Sequence, residues 1–321
     1  MAVIRIVVLS GGVGGSRFAR GVRSAAPEAD LTVIVNTGDD LTLHGLRISP
    51  DVDTVLYALS GRVDEARGWG PRGDTFRCMS ALEELGGETW FRLGDLDLAL
   101  HLRRTELLAA GLPPSAVTAQ LAKHLGVRGV SVLPMTDQCV ATWVQLADEP
   151  RGVWVHFQEY FVKRRTEVAI QAVQFRGLQS AQPGPGLLHA IERADLITIA
   201  PSNPFVSVGP ILALPGVRDA IAAARARGIR VAGVSPLIGG ATVKGPAARM
   251  LVELGHEPSA LGVARQYTEL LDLFLIDHVD RALAPRLREI GIRPIITDAL
   301  MRGRRGEARL ARHVLQAALG T

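Results

Sequence analysis

The sequence predicts an α/β fold, a doubly wound and mostly parallel sheet with a helical cap and a small antiparallel insertion. Three observations predict it. Short β-branched runs alternate with helical patterns along most of the 321 residues. Those runs are almost continuously apolar, as strands are when helices cover both faces of a parallel sheet. The first run, residues 4–9, feeds a glycine-rich turn, Ser10 to Gly15, that opens onto a helical pattern built on Phe18, Ala19 and Val22.

The elements follow in order. A second strand is expected at 31–35 and a helix at 52–60. Helical patterns at 75–85, 95–110 and 115–125 form the expected cap, approximately residues 75–126. A third strand follows at 130–133. From about 139 to 176 the rhythm changes: CVATWVQL, VWVHFQEYF and VAIQAVQF read as successive strands without helices between them, the signature of an antiparallel insertion. Strands at 196–200, 230–234 and 273–276 and a closing helix at 308–318 complete a single expected domain, residues 1–321. With no internal repeat and no low-complexity linker, nothing divides the chain.

Composition narrows the class. Hydrophobic residues make up 47% and charged residues 21%, which excludes a largely disordered chain. The net charge of +4 suits small anionic ligands. The basic residues are spread out, so no nucleic-acid partner is expected. The apolar run at the N-terminus is far too short for a bilayer span and lacks a cleavage site, so neither a membrane partner nor export is expected. Cys78 and Cys139 have no metal-ligand spacing and read as reduced thiols, which points to the cytoplasm.

Two segments carry chemistry. A strand, a glycine turn and a helix in succession place backbone N–H groups around a concave helix start, suited to phosphate. Arg17 stands where a dinucleotide fingerprint needs its third glycine, and Asn36 ends the second strand where a ribose-binding acid belongs. No Gly-Lys-Ser/Thr follows either, so the turn is a phosphate site of another kind. Asp39, Asp40, Asp51 and Asp53 then fall within fifteen residues. Singly each has a structural reading, Asp51 or Asp53 as a helix cap and Asp39 and Asp40 as solvated turn residues. Clustered beside a phosphate nest, they suit Mg2+, which takes one or two carboxylates plus substrate phosphate oxygens. Ser202 and Asn203 follow a strand end, where open α/β sheets bind ligands. Lys244 lies in a second glycine turn, Arg92 precedes a helix, and Lys163 to Arg165 form a local cationic group.

These segments resemble the 2-phospho-L-lactate transferases (CofD, with its actinobacterial relative FbiA). The resemblance rests on SGGVGGSRFARGV, VNTGDDLTLHGLRISPDVDTVLYALSG, WFRLGDLDLALHLRRTELLAAG, VLPMTD, ITIAPSNPFVSVGPIL and VAGVSPLIGGATVKGPAARML. It implies a Rossmann-like core, magnesium dependence, a homodimer, and a step in making the deazaflavin coenzyme F-420. In that step a guanosine diphosphate-linked donor passes a phospho-acid unit (lactyl, enolpyruvyl or related) to the terminal hydroxyl of the deazaflavin alcohol Fo, releasing GMP. Carried onto matching positions, Asp53 and Arg92 would meet the alcohol as catalytic residues. Asp39, Asp40 and Asp53 are the metal or base candidates. Gly11, Gly12, Gly14, Gly15, Asn36, Ser202, Asn203 and Lys244 would hold the nucleotide. A non-catalytic nucleotide-sugar-binding regulator of the YvcK type is the alternative. It shares the glycine turn but is not expected to share RLGDLDLALHLRRTELL.

Overall fold

A computed structural model describes residues 3–147 and 152–320. Residues 148–151, inside the expected insertion, lie outside the described set. Seven strands form one parallel sheet: β1 (Arg5–Ser10), β2 (Asp30–Val35), β3 (Val130–Pro134), β4 (Leu196–Ile199), β5 (Arg230–Val234), β6 (Leu273–Asp277) and β7 (Arg293–Thr297). Their order across the sheet is β3-β2-β1-β4-β5-β6-β7. Every neighbouring pair is parallel. The order runs outward in both directions from β1 and β4, so the chain switches direction across the sheet between those two strands.

Alternate residues of the five inner strands feed two separate cores, as a sheet covered on both faces requires. In β1, Ile6 and Val8 pack with Phe18, Val22, Val52, Leu56 and Leu310 on one face. Val7 and Leu9 pack with Leu187, Ile211, Ile221 and Leu261 on the other. Six of the seven strands coincide with the apolar runs in the sequence. β7 does not, because its RPIIT sequence opens with arginine and proline before only three β-branched residues, a pattern that argues against an interior strand. It forms at the sheet edge, where one side of the backbone has no partner to satisfy.

Helix α1 (Gly12–Ala25) follows β1, and a two-residue turn at His44 and Gly45, both at positive φ, joins a short hairpin, Leu41–Leu43 with Leu46–Ile48. Helix α2 (Pro50–Leu59) comes next, then α3 (Arg77–Glu84), α4 (Asp95–Ala109) and α5 (Pro114–Leu125). Further on, Ala141–Leu146 pairs antiparallel with both Trp154–His156 and Ile170–Arg176. One segment differs from the expectation. VWVHFQEYF is a strand only over Trp154–His156 and then becomes the π-helix Glu159–Lys163. Phe157, Tyr160 and Phe161 recur at helical spacing. Phe157 stacks on Phe161 at 5.7 Å, and Tyr160 buries against Val144, Ile170 and Met250.

Candidate active site

A cavity of about 540 Å³ opens at the C-terminal ends of β1 and β4, at the point where the strand order reverses. One wall is the start of α1. Gly11 leads into the helix in extended conformation, no side chain caps it, and its first turn carries no acidic residue. The Gly12 backbone bonds to Asp51, and the amides that follow it at the start of α1 are available to an anion. Ser202 pins this turn: its hydroxyl donates to the Gly11 carbonyl at 2.7 Å and accepts from the Gly11 amide at 3.3 Å. Asn203 caps the π-helix Pro204–Val208 by accepting from the Phe205 amide at 2.9 Å. Lys244 reaches over from the second glycine turn to the Arg67 carbonyl at 3.3 Å. Burial and the charge of nearby Arg17 push its pKa down, so two cations share one rim.

The structure brings Gly11, Gly12, Gly14, Asp39, Asp53, Arg92, Ser202, Asn203 and Lys244 to this one cavity. Three residues depart from their expected place. Gly15 packs behind the turn, where a Cβ would lie 2.4 Å from the Ser10 hydroxyl. Asn36 is fully buried and spends its amide on the protein, donating to Asp51 at 2.9 Å and to the Val206 carbonyl at 3.2 Å while accepting from the Gly38 amide at 2.8 Å. It orients Asp51 and lies off the cavity wall. Asp40 turns away from the cavity lining, and its carboxylate accepts from the Ser49 hydroxyl at 2.7 Å. Of the cationic triplet, Lys163 pairs with Glu88 at 3.0 Å and lies over Trp90, and Arg164 pairs with Glu159 at 3.1 Å.

The carboxylates sort into three environments. Asp51 does not cap α2; Ser49 occupies that position and Asp51 faces the α1 turn, where a Cβ on Gly11 would stand 2.8 Å from its oxygen. Burial pushes its pKa up to about 6, opposed by bonds from Asn36 and the Gly12 backbone. Burial, with the charge of Asp51 second, holds Asp39 well above the usual carboxylate range. One Asp39 oxygen accepts from Gln158 at 3.1 Å, and the other, fully buried, has no partner. Asp53 is different: both of its oxygens are gripped by Arg104. An orphaned oxygen and two crowded, desolvated carboxylates beside a phosphate nest fit a hard divalent cation. Among the described residues no three acidic, His or Cys side chains converge to hold an ion unaided. Asp39 and Asp51 would thus supply the protein's share of a magnesium site completed by phosphate oxygens. Of the metal candidates read from the sequence, Asp39 lines the cavity with one unpartnered oxygen, while Asp40 and Asp53 are engaged with Ser49 and Arg104.

Sequence reasoning missed Arg104 and the polar side of α4. Asp97, His101 and Arg104 recur at spacings of four and three, which places them on one helix face. That spacing was a readable signal, though nothing marked the face as buried. It also missed the aromatic wall formed by Trp69, Trp90, Phe91, Phe157 and Phe161. Two cations pack beside that wall, Arg92 on it and Arg67 behind it. Arg67 lies between Trp69 at 5.4 Å and Phe76 at 5.2 Å, and Arg92 lies over Phe76 at 4.7 Å. A phosphate-binding end, an acidic floor and an aromatic side suit a nucleotide phosphate ester reacting beside a flat aromatic partner.

Residues 6–315 match the family of the 2-phospho-L-lactate transferase CofD. The chain belongs to that family. It is 46% identical over 317 residues to a phosphoenolpyruvate transferase from Streptomyces griseus, covering 98% of each chain. It is 38% identical over 312 residues to a 2-phospho-L-lactate transferase from Methanosarcina mazei, covering 97% of this chain and all of that one. A solved structure from Bacillus halodurans superposes with a TM-score of 0.66 at 19% identity, covering 98% of this chain and 100% of that one, a likeness of fold. The CofD assignment makes this chain a transferase of a family that serves coenzyme F-420 biosynthesis.

The buried carboxyls of this CofD chain set a pH dependence. Burial raises Asp40 to about 7 and Asp51 to about 6, above the ordinary value near 3.8. These carboxyls bind more protons folded than unfolded between about pH 4 and pH 7, so their contribution to ligand-free stability is lost as pH rises through that window. Asp40→Asn removes one such group and keeps an acceptor for Ser49. It is expected to raise the melting temperature at about pH 8 by a few degrees and to flatten its fall from about pH 5.5, read by calorimetry. An unchanged slope would show that Asp40 is ionised without cost.

Proposed function

We propose that this CofD chain moves a phospho-acid unit, of the enolpyruvyl type, from a guanosine diphosphate-linked donor to the terminal hydroxyl of the deazaflavin alcohol Fo. The products are GMP and the dehydro form of F-420-0. The observation that carries the reading is the shared cavity in which the α1 amides face Asp39, Asp51 and Asp53. The aromatic wall supports a flat acceptor, and Lys244 with Arg17 supports an anionic donor. The 46% identity to a phosphoenolpyruvate transferase, against 38% to a 2-phospho-L-lactate transferase, favours the enolpyruvyl donor.

In the proposed step the hydroxyl oxygen forms a bond to the acid-bearing phosphorus. The bond from that phosphorus to the bridging oxygen breaks, and GMP leaves with its electron pair. Such transfers pass through loose transition states that need alignment and charge neutralisation more than covalent help. The α1 amides and Lys244 hold the diphosphate. Asp53 accepts a hydrogen bond from the hydroxyl and hands its proton, released late, to water. Arg92 sits on the acceptor side of the cavity. Bound Mg2+, held by Asp39 and Asp51, would neutralise the charge that builds on the leaving phosphate. Cytoplasmic residence, supported by two free exposed cysteines, and a homodimer complete the reading. Mass spectrometry of the product from Fo, Mg2+ and lactyl, enolpyruvyl and glyceryl donors offered together tests it. The enolpyruvyl phosphodiester is expected to dominate. Dominance of the lactyl product would overturn the donor assignment, and nucleotide binding without any product would favour a regulator.

A further inference from the structure

The floor of the cavity under Asp53 is a line of polar side chains drawn from two helices. On α2, Asp53 and Tyr57 stand one turn apart; on α4, Asp97, His101 and Arg104 face them. The Tyr57 hydroxyl donates to Asp97 at 2.7 Å. His101 lies between the two carboxylates, Nε2 at 3.5 Å from Asp97 and Nδ1 at 3.6 Å from Asp53. Its Nδ1 also stands 3.2 Å from Arg104 Nη1. Arg104 closes the line on both oxygens of Asp53, with Nη1 donating at 2.9 Å and Nη2 to the other oxygen. Arg104 is 3% and Asp53 4% exposed, yet Asp53 still contributes to the cavity wall.

A guanidinium fork matches a carboxylate in two parallel bonds and removes its freedom to rotate. A solvated aspartate has no such constraint. The α2–α4 pairing therefore presents one fixed edge of Asp53 to the cavity, and α4 is part of the site although Arg104 is not among the residues on its wall.

We propose that Arg104 is a positioning residue for the transfer reaction, fixing the Asp53 carboxylate in the orientation that receives the attacking hydroxyl. The proposal rests on the transferase reading above and deepens it. Small misplacements of an aligning group cost phosphoryl transfer heavily, about a hundredfold for about 1 Å. Arg104→Met is accordingly expected to lower kcat by about 30- to 100-fold with KM for the donor within about threefold of wild type. Arg104→Lys keeps the charge but loses the fork, and about a tenfold loss of kcat is expected.

The discriminating test is the cycle with Asp53. If Arg104 acts through Asp53, then adding Arg104→Met to Asp53→Asn lowers kcat by less than about threefold further. A role confined to holding the fold predicts that the two losses multiply and follow the melting temperature. Multiplying losses, or wild-type kcat in Arg104→Lys, would overturn the proposal. Should Arg104→Met fail to fold, Arg104→Lys and the double variant, which leaves no orphaned charge, still decide. Absence of GMP from wild-type enzyme supplied with Fo and donor would instead sink the transferase reading, a separate outcome from any ranking among active variants.

Discussion

Asp53→Asn is expected to lower turnover by about 10²- to 10³-fold while leaving the affinity for GDP within about threefold of wild type. The split follows from where the groups sit. The part of the cavity proposed to hold the nucleotide is built by the α1 start, Ser202 and Lys244, none of which bonds to Asp53. Asp53 belongs to the α2–α4 pairing and, in the proposed reaction, receives the acceptor hydroxyl. The amide keeps one acceptor oxygen but turns an NH2 group toward the buried guanidinium of Arg104. Breaking a buried ion pair in this way costs about 3–5 kcal/mol when the partner is left unpaired, and the retained oxygen places the amide near the lower end. A melting temperature several degrees lower should accompany the loss of turnover. Steady-state GMP release and calorimetric GDP titration on one preparation separate the two effects. GMP release at the wild-type rate would remove Asp53 from the chemistry.

Gly14→Ala is the second large effect, and it should fall on binding. A Cβ at Gly14 would stand 2.3 Å from the carbonyl oxygen of Pro201, a backbone atom that cannot swing aside. The α1 start and the 201–203 turn must separate, at a cost of about 1–3 kcal/mol for such overpacking. Separation spoils the Ser202 bonds to Gly11, and with them the amide nest. GDP affinity is expected to fall by about 10- to 100-fold, 1.4–2.8 kcal/mol by the usual conversion. Gly12→Ala provides the contrast. Gly12 has a φ of +64° but open space around it, with only an Asp51 oxygen 4.0 Å from a built Cβ. Its strain of about 1–2 kcal/mol is local, and GDP binding should suffer less. Unchanged GDP affinity in Gly14→Ala would show that phosphate binds elsewhere.

Much of the fold was legible because parallel strands covered on both faces write themselves as apolar runs. β7 was not, since an edge strand can carry Pro294 and needs few apolar residues. The π-helix at Glu159–Lys163 was hidden by the β-branched and aromatic character of the preceding residues, although the spacing of Phe157, Tyr160 and Phe161 announced it. For the site, the glycine turn and the GDD to DVDT segment pointed to residues that the fold gathers at one cavity. What they could not reveal was how the four aspartates divide. The local sequence leaves Asp51 open as one of two possible caps, yet it faces the α1 turn, and Asn36 bonds it from fifteen residues away. Asp53 was read as a free base or metal ligand, yet its fate is set by Arg104, fifty-one residues later on another helix. Local patterns identify which residues are chemically equipped; long-range pairing decides what each one does.

The measurement that bears most directly on the central claim is the ratio of GMP to deazaflavin phosphodiester, followed over time with Mg2+ and the enolpyruvyl donor, in the presence and absence of Fo. One cavity that aligns both substrates for direct transfer predicts equal amounts of the two products and negligible GMP when Fo is withheld. GMP appearing at the same rate without Fo, or stable nucleotide binding with no phosphodiester, would contradict it.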